Sequence, residues 1–405
     1  MRIIYVTASF PFGPCEAFLM PELTALQAQG HELLLAPLWP RGEVVHKDAA
    51  RFLSCCQGAP LISPSIIREF AAAATKHADC LLRSARRFTR TTPQAMFKNL
   101  IVLAKATWLA RVAKDWKADH IHAYWASLPA SLALVASELC GIPWSFTAHR
   151  FDIVGNDLLL WKAEHAQFVR FISQSGLRLS GLQGTTLEAK TTVLHVGVDV
   201  NGRSSQSAAE DMPVVALCAA SMVPVKAHKV LIDAIDRLKA RGISLELWFA
   251  GDGELHDSLW REVRKGDLED RIKFLDLLSH SALLDLYASG RISIAVLASA
   301  DLGGGLHEGI PVSLIEAMSF AIPAIGTETG GIPELLGGGA GLIVPAQNPD
   351  SMADALHLLS QNADLRQSLG KAGQKRVREA FSATRIATQI TELFSGKREH
   401  LALAS

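Results

Sequence analysis

The chain has few of the features that mark several other classes of protein. Its 405 residues include 40 Lys plus Arg and 40 Asp plus Glu, so net charge gives no indication of a nucleic-acid partner. The six cysteines show no C-x-x-C spacing, and the adjacent pair Cys55-Cys56 is a poor scaffold for disulfides. No apolar run approaches about 20 uncharged residues, and no signal-peptide pattern precedes the first predicted strand. These absences predict reduced thiols, no spanning helix and a cytoplasmic location.

A dinucleotide fingerprint is also absent at the N-terminus. After the first predicted strand the chain continues as Pro11-Phe12-Gly13-Pro14-Cys15-Glu16, without the Gly-x-Gly-x-x-Gly of nicotinamide and flavin enzymes. The sequence therefore offers little support for a dehydrogenase.

Apolar runs of strand length alternate with longer segments of helical period, which predicts an α/β protein with parallel sheets covered by helices. The first series of predicted strands is 3–6, 32–37, 120–122, 144–147, 169–173 and 193–196. The second series is 214–219, 245–250, 272–275, 292–297, 324–326 and 341–344. A polar segment at 201–207 separates the two series and is predicted to be a linker. The pattern favours two Rossmann-like halves.

Two glutamates lie eight positions apart in the string HEGIPVSLIEAM at 307–318. Because Pro favours the first position of a helix, Pro311 is predicted to begin one that buries Val312, Leu314, Ile315 and Met318. Glu308 then lies in the preceding loop and Glu316 in the second turn.

The start of such a helix binds anions through its free N–H groups. The arrangement suits a nucleotide sugar, with the diphosphate at 312–314, the ribose hydroxyls at Glu316 and the hexose hydroxyls at Glu308. The alternative is an ordinary capped helix whose two glutamates are solvated.

The string resembles the E-x7-E signature of the retaining glycosyltransferases of family 4, which have the GT-B fold. Further segments are similar to family motifs and follow in the expected order: 10–18 (FPFGPCEAF), 120–126 (HIHAYWA), 147–152 (TAHRFD), 223–228 (VPVKAH), 250–253 (AGDG) and 329–334 (TGGIPE). The first two resemble most closely the branch that builds bacterial exopolysaccharides such as colanic acid and amylovoran. The resemblance covers most of residues 1–380.

The resemblance implies two facing Rossmann-like domains with an interdomain cleft. The N-terminal domain, 1–200, would bind the acceptor, and the C-terminal domain, 201–380, would bind the nucleotide sugar. A C-terminal helix within 381–405 would pack back on the N-terminal domain.

The resemblance also implies roles for particular residues. Catalytic roles fall to His149, Lys226 and Glu308. The acceptor or the sugar would be positioned by Glu16, His122 and Asp152. The donor would be bound by Gly13, Ser221, Lys226, Gly251, Glu308, Gly309, Ile310, Pro311, Val312, Ser313, Leu314 and Glu316.

Lys226 follows the first strand of the second series, where its ammonium could neutralise the leaving phosphate. A solvated surface lysine is the alternative. The family usually has an Arg five residues earlier, but here that position is Ser221. This departure implies weaker donor binding, a cation from another loop, or a different leaving group.

Two histidine positions require a choice between ligand binding and structure. His149 could reach a sugar hydroxyl with Asp152 fixing its orientation, or it could cap the following helix. His120 and His122 share one face of a strand, a spacing that could hold a metal, but no third ligand lies nearby. No Asp-x-Asp occurs in the chain, so a metal-independent reaction is expected. Glu16 is predicted to be either an acceptor-side or a helix-capping carboxylate.

Residues 68–117 are rich in Arg and Lys interleaved with apolar side chains. Such helices suit the headgroups of an anionic membrane, and ordinary helices with a solvated basic face are the alternative.

The predicted function is therefore retaining transfer of a hexose from a UDP- or GDP-linked sugar, with no other cofactor, to a glycan or lipid-linked acceptor of cell-surface polysaccharide. The location would be cytoplasmic, with peripheral contact at the inner membrane face as a further possibility. Three alternatives remain open: a GT-B nucleotide-sugar epimerase, a nucleotide-sugar-binding module with weak turnover, and a Rossmann oxidoreductase.

Overall fold

The computed structural model describes residues 1–13, 16–61, 63–155, 158–200 and 213–397. The chain forms two compact units, one of residues 1–197 with 383–405 and one of residues 198–382. The predicted linker at 201–207 and Cys15 lie outside the described residues.

The first unit contains a six-stranded parallel sheet. Its strands are β1 Arg2–Thr7, β2 Glu32–Pro37, β3 His120–Ala123, β4 Trp144–Ala148, β5 Val169–Phe171 and β6 Thr191–Val193. They lie in the order β2-β1-β3-β4-β5-β6, and Ile4 of β1 pairs with Leu34 on one side and Ile121 on the other. The central strands are buried on both faces, which is why they appear in the sequence as continuous apolar runs.

Helices cover both faces of this sheet. They are α1 Met20–Ala28, α2 Pro64–Lys76, α3 Ala78–Phe88, α4 Pro93–Asp115, α5 Leu128–Cys140, α6 Arg150–Gly155, α7 Leu159–His165 and α8 Gln174–Leu179. Several have Pro in the first turn, as at Pro93, where Thr92 accepts a hydrogen bond from the Ala95 N–H. Short 3₁₀ helices occur at Ala17–Leu19, Lys47–Cys55 and Glu188–Lys190.

The second unit contains a second six-stranded parallel sheet. Its strands are β7 Val215–Ala219, β8 Glu246–Ala250, β9 Ile272–Phe274, β10 Ile294–Val296, β11 Ala324–Thr327 and β12 Leu342–Val344. They lie in the order β12-β11-β10-β7-β8-β9, so the direction of winding reverses between β10 and β7. Reversals of this kind are where open α/β sheets bind ligands.

The helices of the second unit are α9 His228–Ala240, α10 His256–Lys265, α11 His280–Ala288, α12 Val312–Ser319, α13 Ile332–Leu336, α14 Pro349–Gln361 and α15 Ala363–Ala380. A 3₁₀ helix, Pro224–Lys226, precedes α9. The last helix, α16 Ala383–Phe394, belongs to the first unit, where it packs on α1 and buries Ile386, Ile390 and Phe394. None of the helices in the described ranges combines the length and the apolar character that crossing a bilayer requires.

The predicted α/β class with two Rossmann-like parallel sheets is confirmed. Each predicted strand overlaps an observed one, but the sixth was placed too late. The strand is Thr191–Val193. The Leu194 N–H still donates to the Phe171 carbonyl of β5, but the carbonyl groups of Leu194 and His195 accept hydrogen bonds from the buried Arg170 guanidinium. This strand lies at the half-exposed edge of the sheet and contains the polar pair Thr191-Thr192. A search for apolar runs in the sequence therefore did not locate it correctly.

Candidate functional site

The loops that follow β7 and β10 carry most of the predicted donor-side residues of the second unit. Ser221 and Lys226 follow β7, and Glu308 follows β10. Because β7 and β10 are neighbours at the point where the strand order reverses, their carboxyl ends bring these loops together.

Lys226 and Glu308 form a direct ion pair between Nζ and Oε2. The same carboxylate oxygen accepts a hydrogen bond of 3.0 Å from Ser299 Oγ. Ser299 is fully buried, and its carbonyl accepts a 2.5 Å hydrogen bond from Thr327 Oγ1 on β11. The Lys226 and Glu308 side chains are 18% and 12% exposed, so the pair stays within reach of a ligand at a well-fixed position.

Helix α12 begins directly after this loop, one residue later than predicted. Pro311 is the N-cap with extended backbone (φ −74°, ψ 113°), and Val312 is the first helical residue. The Leu314 and Ile315 N–H groups bond the Pro311 carbonyl at 3.2 Å. In the described part of the chain the N–H groups of Val312 and Ser313 have no acceptor, so the positive end of the helix is open to an anion.

Glu316 lies in the second turn of α12, as predicted, and its side chain is 9% exposed. Its Oε1 lies 2.7 Å from His280 Nε2, which belongs to the first residue of α11. Farther along α11, the buried Tyr287 hydroxyl donates to the Ser313 carbonyl at 3.2 Å. Helix α11 therefore fixes both the helix backbone and the carboxylate.

Two glycine motifs support these loops. Gly330 has φ +59°, and a Cβ there would lie 1.8 Å from the Glu308 carbonyl oxygen. Gly251 has φ +151°, and a Cβ there would lie 2.1 Å from the Ala220 carbonyl oxygen, beside Ser221. Both positions therefore require glycine for backbone conformation and for close approach.

The remaining predicted donor residues differ in what they can offer. Ser221 and the Gly309 backbone lie on the same two loops as the ion pair, and Ser221 is exposed. The side chains of Ile310 and Leu314 are 8% and 2% exposed and belong to the hydrophobic core. Only the backbone of these two residues is available to a ligand.

In the first unit, Glu16 binds the loop after β1. One carboxylate oxygen accepts from the Ala8 N–H at 3.0 Å and from Trp125 Nε1 at 2.6 Å. The other accepts from the N–H groups of Ser9 and Phe10 at 2.6 and 2.7 Å. Glu16 precedes the 3₁₀ helix Ala17–Leu19 but makes no side-chain cap to it, so the helix-capping alternative is wrong. Its oxygens already hold the loop that contains Gly13.

His149 lies just past β4 within a group of aromatic rings. Its ring centroid is 4.3 Å from that of Trp125 and 5.1 Å from that of Tyr124. Asp152 Oδ2 accepts from the His149 N–H at 3.3 Å and from the Ala126 N–H at 3.1 Å, and it lies 3.7 Å from His149 Nδ1. Both ring nitrogens are buried and have no hydrogen-bond partner among the described residues, although buried polar atoms ordinarily have one.

His122 lies inside the first unit. It is fully buried, with Nδ1 2.8 Å from Ser145 Oγ and Nε2 2.9 Å from Thr147 Oγ1. Burial holds the pKa of His122 well below its usual value, and it lowers the pKa of His120 to about 3. Both imidazoles are neutral members of the core, and His122 has no ring nitrogen left for a sugar.

The predicted residues thus form three local groups: Lys226 with Glu308 at the start of α12, Glu316 in that helix, and Glu16, Asp152 and His149 in the first unit. Sequence reasoning missed Ser299 and His280. Ser299 could have been found because it follows a strand end, whereas nothing in the sequence links His280 to Glu316. Within the described residues, no three of His, Cys, Asp and Glu form a group that could hold a metal ion.

Residues 202–376 match the family described as Glycosyl transferases group 1. The putative colanic acid biosynthesis glycosyltransferase WcaL of Salmonella typhimurium is 27% identical over 97% of this chain and 99% of its own. The amylovoran biosynthesis glycosyltransferase AmsK of Erwinia amylovora is 29% identical over 45% of this chain and 44% of its own. Among solved structures, Anabaena Alr3699/HepE in complex with UDP gives a TM-score of 0.72 at 16% identity, covering 98% of this chain and 100% of that one.

The family match assigns residues 202–376 to a glycosyltransferase family, and the likeness to Anabaena Alr3699/HepE shows that the two chains share the GT-B fold. More narrowly, the chain carries the group 1, family 4-like domain that the E-x7-E string indicated, and its relatives include glycosyltransferases of exopolysaccharide assembly.

Proposed function

We propose that this enzyme transfers a hexose, with retention, from a nucleoside-diphosphate sugar to a glycan or lipid-linked acceptor of cell-surface polysaccharide. The observation that carries the proposal is the Lys226–Glu308 pair beside the open start of α12, at the reversal point of the second sheet. The names of the relatives support polysaccharide assembly, and Anabaena Alr3699/HepE was solved with UDP and with UDP-glucose.

On this proposal the second unit is the donor domain. The Val312 and Ser313 N–H groups and the Lys226 ammonium receive the diphosphate, and Glu316 accepts the ribose hydroxyls. Because His280 holds one oxygen of Glu316, the ribose contact is made through the other. The base is uracil or guanine.

On this proposal Lys226 has two states, one paired with Glu308 and one bound to the diphosphate of the donor. Without a donor, Lys226 is neutralised by Glu308, which Ser299 also holds. As the diphosphate arrives, its charge competes for the ammonium, and Glu308 is released toward the hexose hydroxyls. The Lys226 contact then strengthens as negative charge builds on the leaving phosphate, so it acts mainly in the transition state.

The first unit is proposed to be the acceptor domain. His149, with Asp152 fixing its backbone, donates to a hexose hydroxyl through a ring nitrogen that has no protein partner. Glu16 positions Trp125 against His149 and has no oxygen to spare for the acceptor. We leave His122 out of the site because both of its ring nitrogens are hydrogen-bonded.

In the proposed reaction, bond breaking and bond formation at the anomeric carbon occur on the same face of the sugar. The bond between the anomeric carbon and the phosphate oxygen breaks, and the acceptor oxygen attacks the same face. The acceptor proton passes to a leaving phosphate oxygen. Lys226 and α12 provide the electrostatic stabilisation for which other transferases use a divalent cation.

The contact with an anionic membrane predicted for residues 68–117 also belongs to this proposal. Helices α2, α3 and α4 expose several large apolar side chains, among them Ile67, Leu82 and Phe97, beside basic ones such as Arg83 and Arg86. This combination suits a peripheral contact near a lipid-linked acceptor.

The test is product analysis with the full-length enzyme, UDP- and GDP-hexoses, and a synthetic polyprenyl diphosphate-linked sugar, with and without EDTA. The proposal expects one donor to give nucleoside diphosphate and a glycosylated acceptor with the anomeric configuration of the donor, undiminished by EDTA. Conversion of the donor sugar to its epimer without acceptor, or an inverted product, would contradict it.

A further inference from the structure

A cavity of about 360 Å³ lies in the first unit, away from the groups around Glu16 and His122. It is lined by the end of α3, the start of α4, and the facing ends of α6 and α7. The roles proposed above do not use it.

Two arginines line this cavity. Neither Arg87 nor Arg90 forms an ion pair in the described part of the chain, and Arg87 Nε is buried there without a hydrogen-bond partner. The Arg87 guanidinium is 5.7 Å from the centre of the Trp161 ring, which orients it. A buried donor without an acceptor costs free energy, and a planar guanidinium is suited to bidentate binding of phosphate.

The neighbouring hydroxyls form hydrogen bonds with the backbone. Thr91 Oγ1 donates to the Phe88 carbonyl at 2.8 Å, and Thr92 Oγ1 accepts from the Ala95 N–H at 3.3 Å. The Thr92 hydroxyl proton and the guanidinium groups therefore remain as donors for a ligand. The guanidinium charges, which no carboxylate of the described residues pairs with, select an anion.

The rim of the cavity is apolar and exposed. Leu160, which lines it, is 53% exposed, and Val154, next to the lining residue Gly155, is 43% exposed. A small free anion would make no use of this rim, whereas an amphiphile would cover it.

We propose that the cavity binds the phosphate headgroup of a lipid, with Arg87 and Arg90 on the phosphate and the lipid chain over Leu160 and Val154. The inference rests on the proposed function, in which the acceptor is lipid-linked. Helix α6 begins next to His149 and has six residues, so its far end lies about 9 Å along the helix axis. A sugar attached to the bound lipid phosphate is thus within reach of His149.

The test is sedimentation of the full-length protein with vesicles of phosphatidylcholine containing phosphatidic acid, compared with phosphatidylcholine alone, without nucleotide sugar. The double variant Arg87→Gln, Arg90→Gln removes the cavity charge. The matched control, Arg83→Gln with Arg86→Gln, removes the same charge from α3 outside the cavity. We expect the cavity variant to weaken binding to phosphatidic acid vesicles roughly tenfold more than the control does.

Equal losses in the two double variants would overturn the proposal, because they would indicate only a diffuse basic face. So would wild-type protein that ignores phosphatidic acid. Since Arg87 is half-buried, the exposed Arg90→Gln alone repeats the test if the double variant does not fold.

A second variant separates a lipid from a free phosphate. Leu160→Ser should weaken vesicle binding but leave the thermal shift produced by glycerol 3-phosphate unchanged. If Leu160→Ser bound vesicles like the wild type, the lipid assignment would be wrong. Nucleotide binding measured in the same proteins reports on the proposed function separately, because it concerns residues of the second unit.

Discussion

Lys226 and Glu308 come from loops 82 positions apart in sequence, and each neutralises the other. A buried or half-buried pair of this kind is costly to break on one side only, since the remaining charge loses its partner. Ser299 lessens that cost for Glu308, because its hydroxyl remains on the carboxylate when Lys226 turns to a ligand. At the scale of single residues, we expect substitutions of different charged groups to change different kinetic parameters.

Lys226→Ala should lower kcat roughly 100-fold with a smaller effect on donor KM, because its contact strengthens as the phosphate leaves. Glu316→Ala should instead raise donor KM roughly tenfold, since the ribose does not change during the reaction. Steady-state kinetics with varied donor measure both. The control is Lys229→Ala, which removes an exposed lysine three residues away. If both site variants behaved like the control, the residue roles would be wrong.

Gly330→Ala should disrupt the donor site, because its Cβ would overlap the Glu308 carbonyl. The matched control is Gly338→Ala. Gly338 also has a positive φ, +68°, but its Cβ would have nothing within 4 Å. Both should lose about 1 kcal/mol of stability from backbone strain, and Gly330→Ala should lose further stability through the overlap together with nucleotide affinity. Calorimetric melting with and without nucleotide distinguishes them, and equal affinities in the two variants would contradict the packing role of Gly330.

At the scale of elements, α11 acts as a support for α12. It contacts the donor helix through His280 on Glu316 and through Tyr287 on the Ser313 carbonyl. A carboxylate fixed in this way needs less ordering when the ribose binds, which favours affinity.

His280→Ala should therefore raise donor KM several-fold and leave kcat nearly unchanged. His280→Gln, whose amide can donate to Glu316, should recover part of the loss. The control is Ser281→Ala, an exposed change on the same helix. A fall in kcat with unchanged KM would argue against a positioning role.

The sequence predicted secondary-structure elements better than it predicted contacts between side chains. Buried parallel strands appear as apolar runs, and Pro311 and the Gly motifs mark turns, so the strands of both sheets and the start of α12 were predicted within a few residues. The partners of charged groups were not predictable. The His280–Glu316 and Lys226–Glu308 contacts join residues 36 and 82 positions apart, and no local pattern encodes such pairs.

The hydrogen-bond partners of Glu16 were likewise not predictable from the sequence. The first loop was predicted to face the substrates, but the carboxylate turns back onto three successive N–H groups of its own loop.

At the scale of the whole molecule, the two units have separate cores, and each core buries neutral histidine. Burial lowers the pKa of His120 to about 3 and holds that of His122 well below its usual value in the first unit. It lowers the pKa of His228 to about 4 in the second. The five described cysteines are free, and burial raises the pKa of Cys218 to about 12.

These histidines predict loss of stability in acid. Unfolding returns each to a pKa near 6.5, so below that pH the unfolded chain binds protons that the folded chain does not. Each group should cost about 1.4 kcal/mol per pH unit between pH 6.5 and its folded pKa. Calorimetry from pH 7.5 to 5.5 should show falling melting temperatures. The His228→Leu variant should reduce this dependence for the second unit, and an unchanged pH dependence would contradict the buried neutral state.

The central claim is that the second unit binds a nucleoside-diphosphate sugar at the start of α12. A thermal-shift titration with UDP, GDP, ADP and their hexose conjugates tests it directly, using wild type, Glu316→Ala and the exposed control Glu379→Ala. A ligand at about 100 times its Kd should add about 2.7 kcal/mol of stability. We predict a shift with one nucleotide in the wild type and in Glu379→Ala that is lost in Glu316→Ala. If no nucleotide stabilises the wild type, or if Glu316→Ala responds like Glu379→Ala, the proposed donor site is wrong.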